Sequence, residues 1–143
     1  MLSNTCKAAI RSVVFLASRF SDNTKLAIKD IADHINASEH TTAKLLQTLV
    51  KQKLINSTKG PSGGFYINNE QLLKPIIQIV YAIDGPGIFR ECGLGLSKCS
   101  EKHPCPIHFQ FKESREKIEN LFKQKNVKDL SVNVNIGSAF LND

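Results

Sequence analysis

The segment from residue 28 to residue 67 constrains the fold more than any other part of the chain. Apolar residues with helical spacing predict a short helix over residues 29–35, and Asn36 suits its end. Ser38 is a good N-cap for a second helix. The apolar face of that helix consists of Thr42, Leu45, Leu46, Leu49 and Val50. Two short helices joined by a connection of about three to four residues form a helix-turn-helix.

A hairpin predicted directly after these helices completes the pattern. Residues 54–58 and 65–67 are typical of two short strands, and the glycine-rich residues 59–64 are typical of the turn between them. A short extended stretch is expected at residues 25–28, after a loop at residues 21–23. A helix-turn-helix followed at once by a glycine-tipped hairpin is a winged helix. We therefore expect a mainly helical chain with a small β-wing.

The charge of this segment indicates a polyanionic partner. No acidic residue occurs between His40 and Asn69, whereas four lysines occur there: Lys44, Lys51, Lys53 and Lys59. A positive surface gains affinity for DNA by releasing the counterions of the phosphates that it neutralises. An isolated helix with such a polar face would be a solvated surface, but the wing that follows favours DNA binding. The net charge of the whole chain, +6, agrees with this prediction.

The predicted DNA contacts lie on the polar face of the second helix and in the hairpin. We expect that helix, residues 38–51, to enter a major groove, with the wing against the backbone or a minor groove. Glycines at the hairpin tip let backbone N–H groups approach a phosphate, although a plain turn also needs glycine for positive φ angles. The candidates are Lys29, Ser38, His40, Thr41, Lys44, Gln47, Lys51, Lys59, Gly60, Ser62, Gly63 and Gly64.

Three further helical regions are predicted from apolar spacing. A first helix covers residues 5–20, with Phe20 on its apolar stripe. One helix or a broken pair covers residues 70–84, and Pro75 suits its first helical position. A long helix follows over residues 107–125. Its apolar side holds Phe111, Ile118, Leu121 and Phe122, and its other side holds the charge pairs Glu113–Lys117 and Glu119–Lys123.

The long helix is predicted to mediate dimerisation, because little of the chain remains for it to pack against; packing in its own core is the alternative. The last residues, 126–143, predict a short helix and a mobile tail. We therefore divide the chain into three parts. Residues 1–85 form a winged helix-turn-helix DNA-binding domain, 86–108 a cysteine-rich cluster-binding loop with few packing contacts, and 109–143 the dimerisation helix and tail.

Three of the four cysteines lie close together in that loop, in the spacing Cys92-x6-Cys99-x5-Cys105-x2-His108. Thiolates and imidazole bind soft or borderline metals, so these donors fit a [2Fe–2S] cluster or a structural zinc. Zinc sites usually pair cysteines two to four residues apart, and the wider spacing favours the cluster. Thiol oxidation without a metal stays open, and His108 is either the fourth ligand or the structural start of the long helix.

The chain as a whole resembles the Rrf2-type family of bacterial transcription regulators over about residues 2–132. The resemblance is carried by Leu2-Ser3, Lys7-Ala8-Ala9-Ile10, Ile28-x2-Ile31-Ala32, Gly60-Pro61-Ser62-Gly63-Gly64-Phe65, Ile79-x3-Ile83-Asp84-Gly85 and the three-cysteine loop. It implies a homodimer in which each long helix crosses to the partner and the cluster loop lies near the DNA-binding lobes. It also implies Cys92, Cys99 and Cys105 as cluster ligands, with His108 as the fourth ligand of the cluster-biogenesis branch.

The sequence departs from the family pattern at several positions. The gap between Cys92 and Cys99 is one residue longer than the commonest spacing, and Lys59 stands where the wing often carries arginine. Ala43 stands where some relatives place an acidic base-reading side chain, so we expect a different operator sequence. The aspartate ligand of the nitric-oxide-sensing branch is missing near Lys7, and the branch without the cysteines is excluded by their presence.

We therefore expect a cytoplasmic, homodimeric transcription regulator, a repressor at some promoters, that binds double-stranded DNA at an inverted-repeat operator. Its operator affinity is expected to depend on a redox-sensing [2Fe–2S] cluster. The alternative is the same fold with zinc or thiol oxidation at the three cysteines. No enzymatic Cys–His–Asp pattern is found, and no span long enough for a membrane helix. An adaptor that uses the winged helix to bind protein would lack salt-dependent DNA affinity.

Overall fold

The winged helix-turn-helix occupies the first half of the chain in the computed structural model, which describes residues 1–21 and 24–143. The loop predicted at 21–23 falls mainly on residues 22 and 23, which lie outside the described residues. The helices are α1 (Asn4–Ser18), α2 (Ile28–Ile35), α3 (Glu39–Lys51), α4 (Asn69–Leu72), α5 (Ile77–Ile83), α6 (His108–Gln124) and α7 (Val127–Asn135). The strands are β1 (Asn56–Thr58) and β2 (Gly64–Tyr66), and a 3-10 helix covers Pro86–Phe89. None of the described helices is long and apolar enough to cross a membrane.

The predicted caps define the helix-turn-helix. Asn36 ends α2 in the left-handed conformation at φ 53°, a geometry that asparagine tolerates well. The Ser38 hydroxyl accepts a hydrogen bond from the Thr41 backbone N–H at 3.1 Å and so caps α3. The buried face of α3 consists of Thr42, Leu45, Leu46 and Leu49. Both the turn between the helices and the apolar face of α3 are therefore confirmed.

The wing is a two-stranded antiparallel sheet with one additional bridge. Asn56 pairs with Tyr66, and Thr58 pairs with Gly64. Leu26 and Phe65 exchange two backbone hydrogen bonds of 2.9 and 2.8 Å, so the stretch before α2 is extended, as predicted. The first strand is shorter than predicted, because residues 54–55 belong to the buried core instead of the hairpin.

The core surrounds α1, which contacts α2, α3, α5, α7 and β2. Its buried residues are Cys6, Ala8, Ala9, Ser12, Val13, Val14, Phe15, Leu16 and Ala17. A second, smaller cluster is formed by Cys6, Ile77, Val80 and Phe89, with Ile118 and Phe122 of α6 packed against it. The start of the cysteine-rich loop is therefore anchored between α1, α5 and α6, contrary to the expectation of few packing contacts.

Several sequence expectations are wrong in detail. Of the two alternatives for residues 70–84 the broken pair is confirmed, but Pro75 precedes α5 instead of starting it, because residues 74–76 run antiparallel to residues 125–127. The backbone N–H of Ile76 donates to the Lys125 carbonyl at 2.9 Å across this contact. The first helix ends at Ser18, which leaves Phe20 exposed beyond the apolar stripe.

The packed side of the long helix α6 follows the predicted apolar pattern only in part, since Ile118 and Phe122 pack against the core as predicted. Its buried residues are His108, Arg115 and Glu119, whereas Leu121 is half exposed. The buried side of α6 therefore includes Arg115 and Glu119, two charged residues that the sequence pattern did not place in the core. Residues 127–135 form α7, which packs on α1, in agreement with the predicted short terminal helix.

Truncation of Phe89 tests the anchoring of the cysteine-rich loop. Phe89 is fully buried, so Phe89→Ala is expected to lower the free energy of unfolding by about 3–5 kcal/mol through lost burial and the cavity left behind. Phe140 is 80% exposed and serves as the matched control, because Phe140→Ala should change stability by less than about 0.5 kcal/mol. Urea unfolding measures both variants, and equal losses would show that the loop is not anchored by Phe89.

Candidate DNA-binding surface and cysteine centre

The outward face of α3 presents the predicted base-contacting side chains to solvent. These exposed residues are His40, Thr41, Lys44, Gln47 and Lys51. The opposite face is buried in the core, so the helix orientation is set by packing and not by the polar residues. Ser38 also lies here, but its hydroxyl is engaged as the cap and donates to Thr41 Oγ1 at 2.9 Å. Lys29 is exposed on the first turn of α2.

The tip of the wing exposes Lys59, Gly60 and Ser62. Gly63 is needed by the hairpin itself, because a Cβ there would clash with the Thr58 carbonyl oxygen. Its backbone N–H donates to the Gly60 carbonyl at 3.0 Å and is used within the turn. Gly64 has φ +148°, and its Cβ would lie 2.8 Å from the carbonyl oxygen of Leu26. Gly63 and Gly64 therefore shape the wing, while residues 59–62 form its exposed tip.

The turn between α3 and β1 is held by contacts that the sequence did not reveal. Lys53 has a left-handed φ of 58°. Its carbonyl accepts hydrogen bonds from Gln71 Nε2 at 3.1 Å and Lys74 Nζ at 2.9 Å. The buried Gln71 also exchanges hydrogen bonds with the Asn56 side chain at 2.9 and 3.1 Å. These contacts fix the orientation of the wing relative to α3, and no local sequence pattern marks them.

A groove beside α3 runs from the exposed face of α3 to the end of α5. It has a volume of about 290 Å³, and its walls include His40, Lys44, Ala82 and Ile83. The next residue, Asp84, accepts a hydrogen bond from the Ser3 backbone N–H at 2.9 Å, so the end of α5 is tied to the start of α1. The chain then continues into the cysteine-rich loop. The loop and the α3 surface are therefore linked through a few residues of α5.

The four sulfur and nitrogen donors lie in two pairs. Cys99 Sγ is 3.4 Å from His108 Nδ1, and Cys105 lies near enough to Cys92 to contribute to the lowered pKa of its thiol. All four cysteines of the chain are free thiols. Among the described residues, no three donors come close enough together to hold a metal ion as they stand.

The donor chemistry nevertheless fits a metal or cluster. Three thiols and an imidazole can supply the four protein ligands that a [2Fe–2S] cluster takes, with the imidazole in place of one thiolate. His108 is buried, and its Nε2 has no hydrogen-bond partner, which is unusual for a buried nitrogen. A cavity of about 950 Å³ runs along Cys92 and Cys99. Residues 92–105, which carry the three cysteines of the loop, are mostly exposed.

The thiols differ in their ionisation. Backbone N–H groups of Leu94 and Leu96 donate to the Cys92 sulfur and lower the pKa of its thiol. Burial and the nearby Asp84 carboxylate raise the pKa of Cys6 to about 12, so it stays protonated in the core. Cys6 is therefore a packing residue, whereas the lowered pKa of Cys92 favours the thiolate form that binds metals and reacts with oxidants.

A buried carboxylate anchors the start of the loop to α6. Arg90 donates two hydrogen bonds to Glu119, at 3.0 and 3.1 Å, and Tyr81 donates a third at 3.0 Å. Lys123 lies 3.2 Å from the same carboxylate, as the predicted pair requires. The sequence analysis placed Glu119 on the side of the helix opposite the apolar residues, but its side chain is only 5% exposed. Arg90 lowers the pKa of Glu119 to about 2.

Comparisons with known proteins agree with this architecture. The family model described as "Rrf2: Iron-dependent Transcriptional regulator" matches residues 2–133. An HTH-type transcriptional regulator of Aquifex aeolicus is 28% identical over 132 residues, which cover 91% of this chain and 90% of that protein. The HTH-type regulator YwgB of Bacillus subtilis is 26% identical over 117 residues, covering 81% of this chain and 75% of its own.

Solved structures show the same fold at lower sequence identity. The global cysteine regulator CymR of B. subtilis superposes with a TM-score of 0.74 at 19% identity, over 92% of this chain and 96% of CymR. IscR of T. potens superposes with a TM-score of 0.71 at 16% identity, over 97% of this chain and 91% of IscR. These similarities confirm the winged-helix fold.

Replacement of Glu119 tests the buried anchor. Its carboxylate has a pKa of about 2 in the folded chain against an ordinary 4.5, so it stabilises the fold above pH 4.5 and loses this effect as the pH falls toward 2. After allowance for solvent around Arg90, Glu119→Gln is expected to cost on the order of 2 kcal/mol at neutral pH.

Unfolding by urea between about pH 6 and pH 3 measures this effect. The wild-type chain should lose more stability with falling pH than Glu119→Gln does, because only the wild type has this carboxylate to protonate. Glu113→Gln removes an exposed carboxylate paired with Lys117 on the same helix and should follow the wild-type curve. Parallel curves for wild type and Glu119→Gln would contradict the anchor.

Proposed function

Because this chain belongs to the Rrf2 family, whose members are transcription regulators and not enzymes, we propose that it binds an inverted-repeat operator as a cytoplasmic homodimer and represses some promoters. We further propose that a [2Fe–2S] cluster held by Cys92, Cys99, Cys105 and His108 changes its operator affinity. The observation that carries this proposal is the groove in which the end of α5 meets α3, directly before the cysteine-rich loop.

The DNA-binding part rests on the surface formed by α3 and the wing. Its lysines are exposed, no acidic residue lies between His40 and Asn69, and the opposite face of α3 is buried. In this proposal His40, Thr41 and Lys44 reach base edges in a major groove, and Lys59 contacts the backbone beside it. Two copies related by a two-fold axis present this surface twice, which favours an inverted repeat.

The homodimer rests on the outer side of α6. Phe109 and Leu121 of that helix are 60% and 52% exposed, although both are large and apolar. The inner side of α6 contacts α5 and the 3-10 helix, so the outer side is available to a second copy. The dimerisation helix of the proposal is thus packed on its own core along one side and free along the other.

The proposed switch acts through the loop and α5. Residues 88–108 become ordered around the bound group, while Phe89 and Arg90 remain held by the core and by Glu119. In this proposal the ordered loop acts through this anchor on the end of α5, where Ala82 and Ile83 line the groove beside α3. A coupling free energy of about 1–3 kcal/mol would change operator affinity about 5–150-fold.

The second candidate is the same regulator with zinc or thiol oxidation at the three cysteines. It is favoured by the Cys92 thiol, whose pKa is lowered by the backbone N–H groups of Leu94 and Leu96 and by the neighbouring Cys105. Iron and sulfide content after anaerobic preparation distinguishes it from the cluster. Zinc without sulfide, or metal-free protein that forms a disulfide on oxidation, would favour this candidate.

Substitution of Lys44 tests the DNA surface. Lys44→Ala should weaken binding to the protein's own promoter, because it removes a base contact, and should weaken binding to unrelated DNA of the same length less. Lys117→Ala removes an exposed lysine from α6 and should leave both affinities unchanged. Fluorescence anisotropy with the two DNAs measures them, and equal behaviour of the two variants would contradict the assignment of α3.

The switch is tested with holo protein, apo protein and Cys92→Ala on the same promoter. We expect holo protein to differ from the other two by about 5–150-fold in affinity, because only holo protein holds the ordered loop. Cys6→Ala serves as the control, since Cys6 lies in the core and should leave cluster binding intact. Equal affinities of holo, apo and Cys92→Ala protein would refute the switch and leave DNA binding standing.

A further inference from the structure

Arg115 is a buried cation in the middle of α6 that the DNA-binding surface does not use. Its residue is 5% exposed, on the side of the helix that faces the cysteine-rich loop. None of the carboxylates in the part of the chain that the structure describes forms a salt bridge with it. One turn later, the buried Glu119 has Arg90 and Lys123 as cationic partners. Arg115 thus lacks the anion that a buried charge requires.

The contacts of Arg115 all lie at the cysteine centre. Its Nη1 donates to the carbonyl oxygen of Glu91 and lies 3.6 Å from Cys99 Sγ. The guanidinium carbon is 5.8 Å from the centre of the Phe111 ring. Its Nε is buried without a hydrogen-bond partner, as is Nε2 of His108. Arg115 therefore contacts Cys99 Sγ through Nη1 and His108 contacts it through Nδ1, while each of these buried side chains keeps a second nitrogen without a partner.

An anion at the cysteines would resolve this imbalance. A guanidinium stays charged in proteins, and burying it without an opposite charge is strongly unfavourable. Three thiolates around two ferric ions and two sulfides carry a net negative charge, and reduction adds one more electron. Three thiolates around a divalent metal are also anionic. The bound group at the cysteines would be negatively charged, and none of its ligands is a cation. The adjacent Arg115 is a buried cation without an anionic partner.

We infer that Arg115 is the cationic partner of the metal–thiolate centre, donating a hydrogen bond to Cys99 and balancing the negative charge of the bound group. This inference rests on the metal centre of the proposed function and assigns a positioning residue to it. Because a cation stabilises the reduced centre more than the oxidised one, Arg115 raises the reduction potential of a cluster. It also slows loss of the metal by holding Cys99 in place.

Two variants separate charge from shape. Arg115→Gln keeps a hydrogen-bond donor and loses the charge, whereas Arg115→Lys keeps the charge and loses the planar fork. A purely structural arginine, holding the loop through the Glu91 carbonyl, would affect stability without changing the potential. Lys117→Gln is the matched control, since it removes an exposed cation from the same helix.

The experiment measures reduction potential and chelator-induced cluster loss after anaerobic reconstitution. We expect Arg115→Gln to have a lower reduction potential and to lose the cluster about 10–100-fold faster. Substitution of an outer-shell partner of a metal ligand typically weakens metal binding by a factor of this size. Arg115→Lys keeps the positive charge, so its reduction potential should match that of the wild type. The potential of Lys117→Gln should match it as well. A wild-type potential in Arg115→Gln would overturn the inference, and if that variant does not fold, a potential in Arg115→Lys below that of Lys117→Gln would do so.

A cobalt titration separates this inference from the cluster proposal. If wild-type protein contains no iron and sulfide, the cluster fails, and the same variants are titrated with Co²⁺ and followed by thiolate-to-cobalt absorption. The inference then predicts about 10–100-fold weaker Co²⁺ binding for Arg115→Gln than for Lys117→Gln. Equal binding of the two variants, or no binding of Co²⁺ by the wild type, would overturn it.

Discussion

Burial of α1 is the interaction on which the rest of the structure depends. Its apolar side chains contact the helix-turn-helix, the returning strand of the wing, α5 and α7, so each of these elements is positioned against one helix. Small residues such as Ala8 and Ala9 lie in its buried face and allow close packing. The outward orientation of α3 follows from this packing, because the apolar face of α3 has only one core available to it.

Two polar anchors then connect the cysteine-rich loop to that core. Asp84 ties the end of α5 to the start of α1, and Glu119 ties Arg90 to α6. Both lie at the boundary between α5 and the loop, and Phe89 fills the space between them. The loop is therefore anchored at its first residues and exposed over most of its length, an arrangement suited to a segment that orders around a ligand. Its anchored end adjoins α5, whose last residues line the groove beside α3.

Sequence patterns predicted the elements whose geometry depends on neighbours in the chain. Asn36 and Ser38 act within one turn of their own helices, and the glycines of the wing act within one hairpin. Pro75 was assigned wrongly because its backbone environment comes from residues 125–127, far along the chain. The spacing of Glu119 and Lys123 predicted their ion pair, and this pair is present. The contact of Glu119 with Arg90 was not predicted, because periodicity along one helix carries no information about a residue outside it.

The sequence by itself determined the winged helix, the positive stretch between His40 and Asn69 and the spacing of the three loop cysteines, because each is a local pattern of residue types. Only the tertiary structure decided that Cys99 lies beside His108 and Cys92 beside Cys105, and that Arg115 is buried against them. Those relations depend on which side of α6 packs against α5. That choice is made by the burial of residues distant in sequence and by buried charges, which the spacing of residues along one helix does not encode.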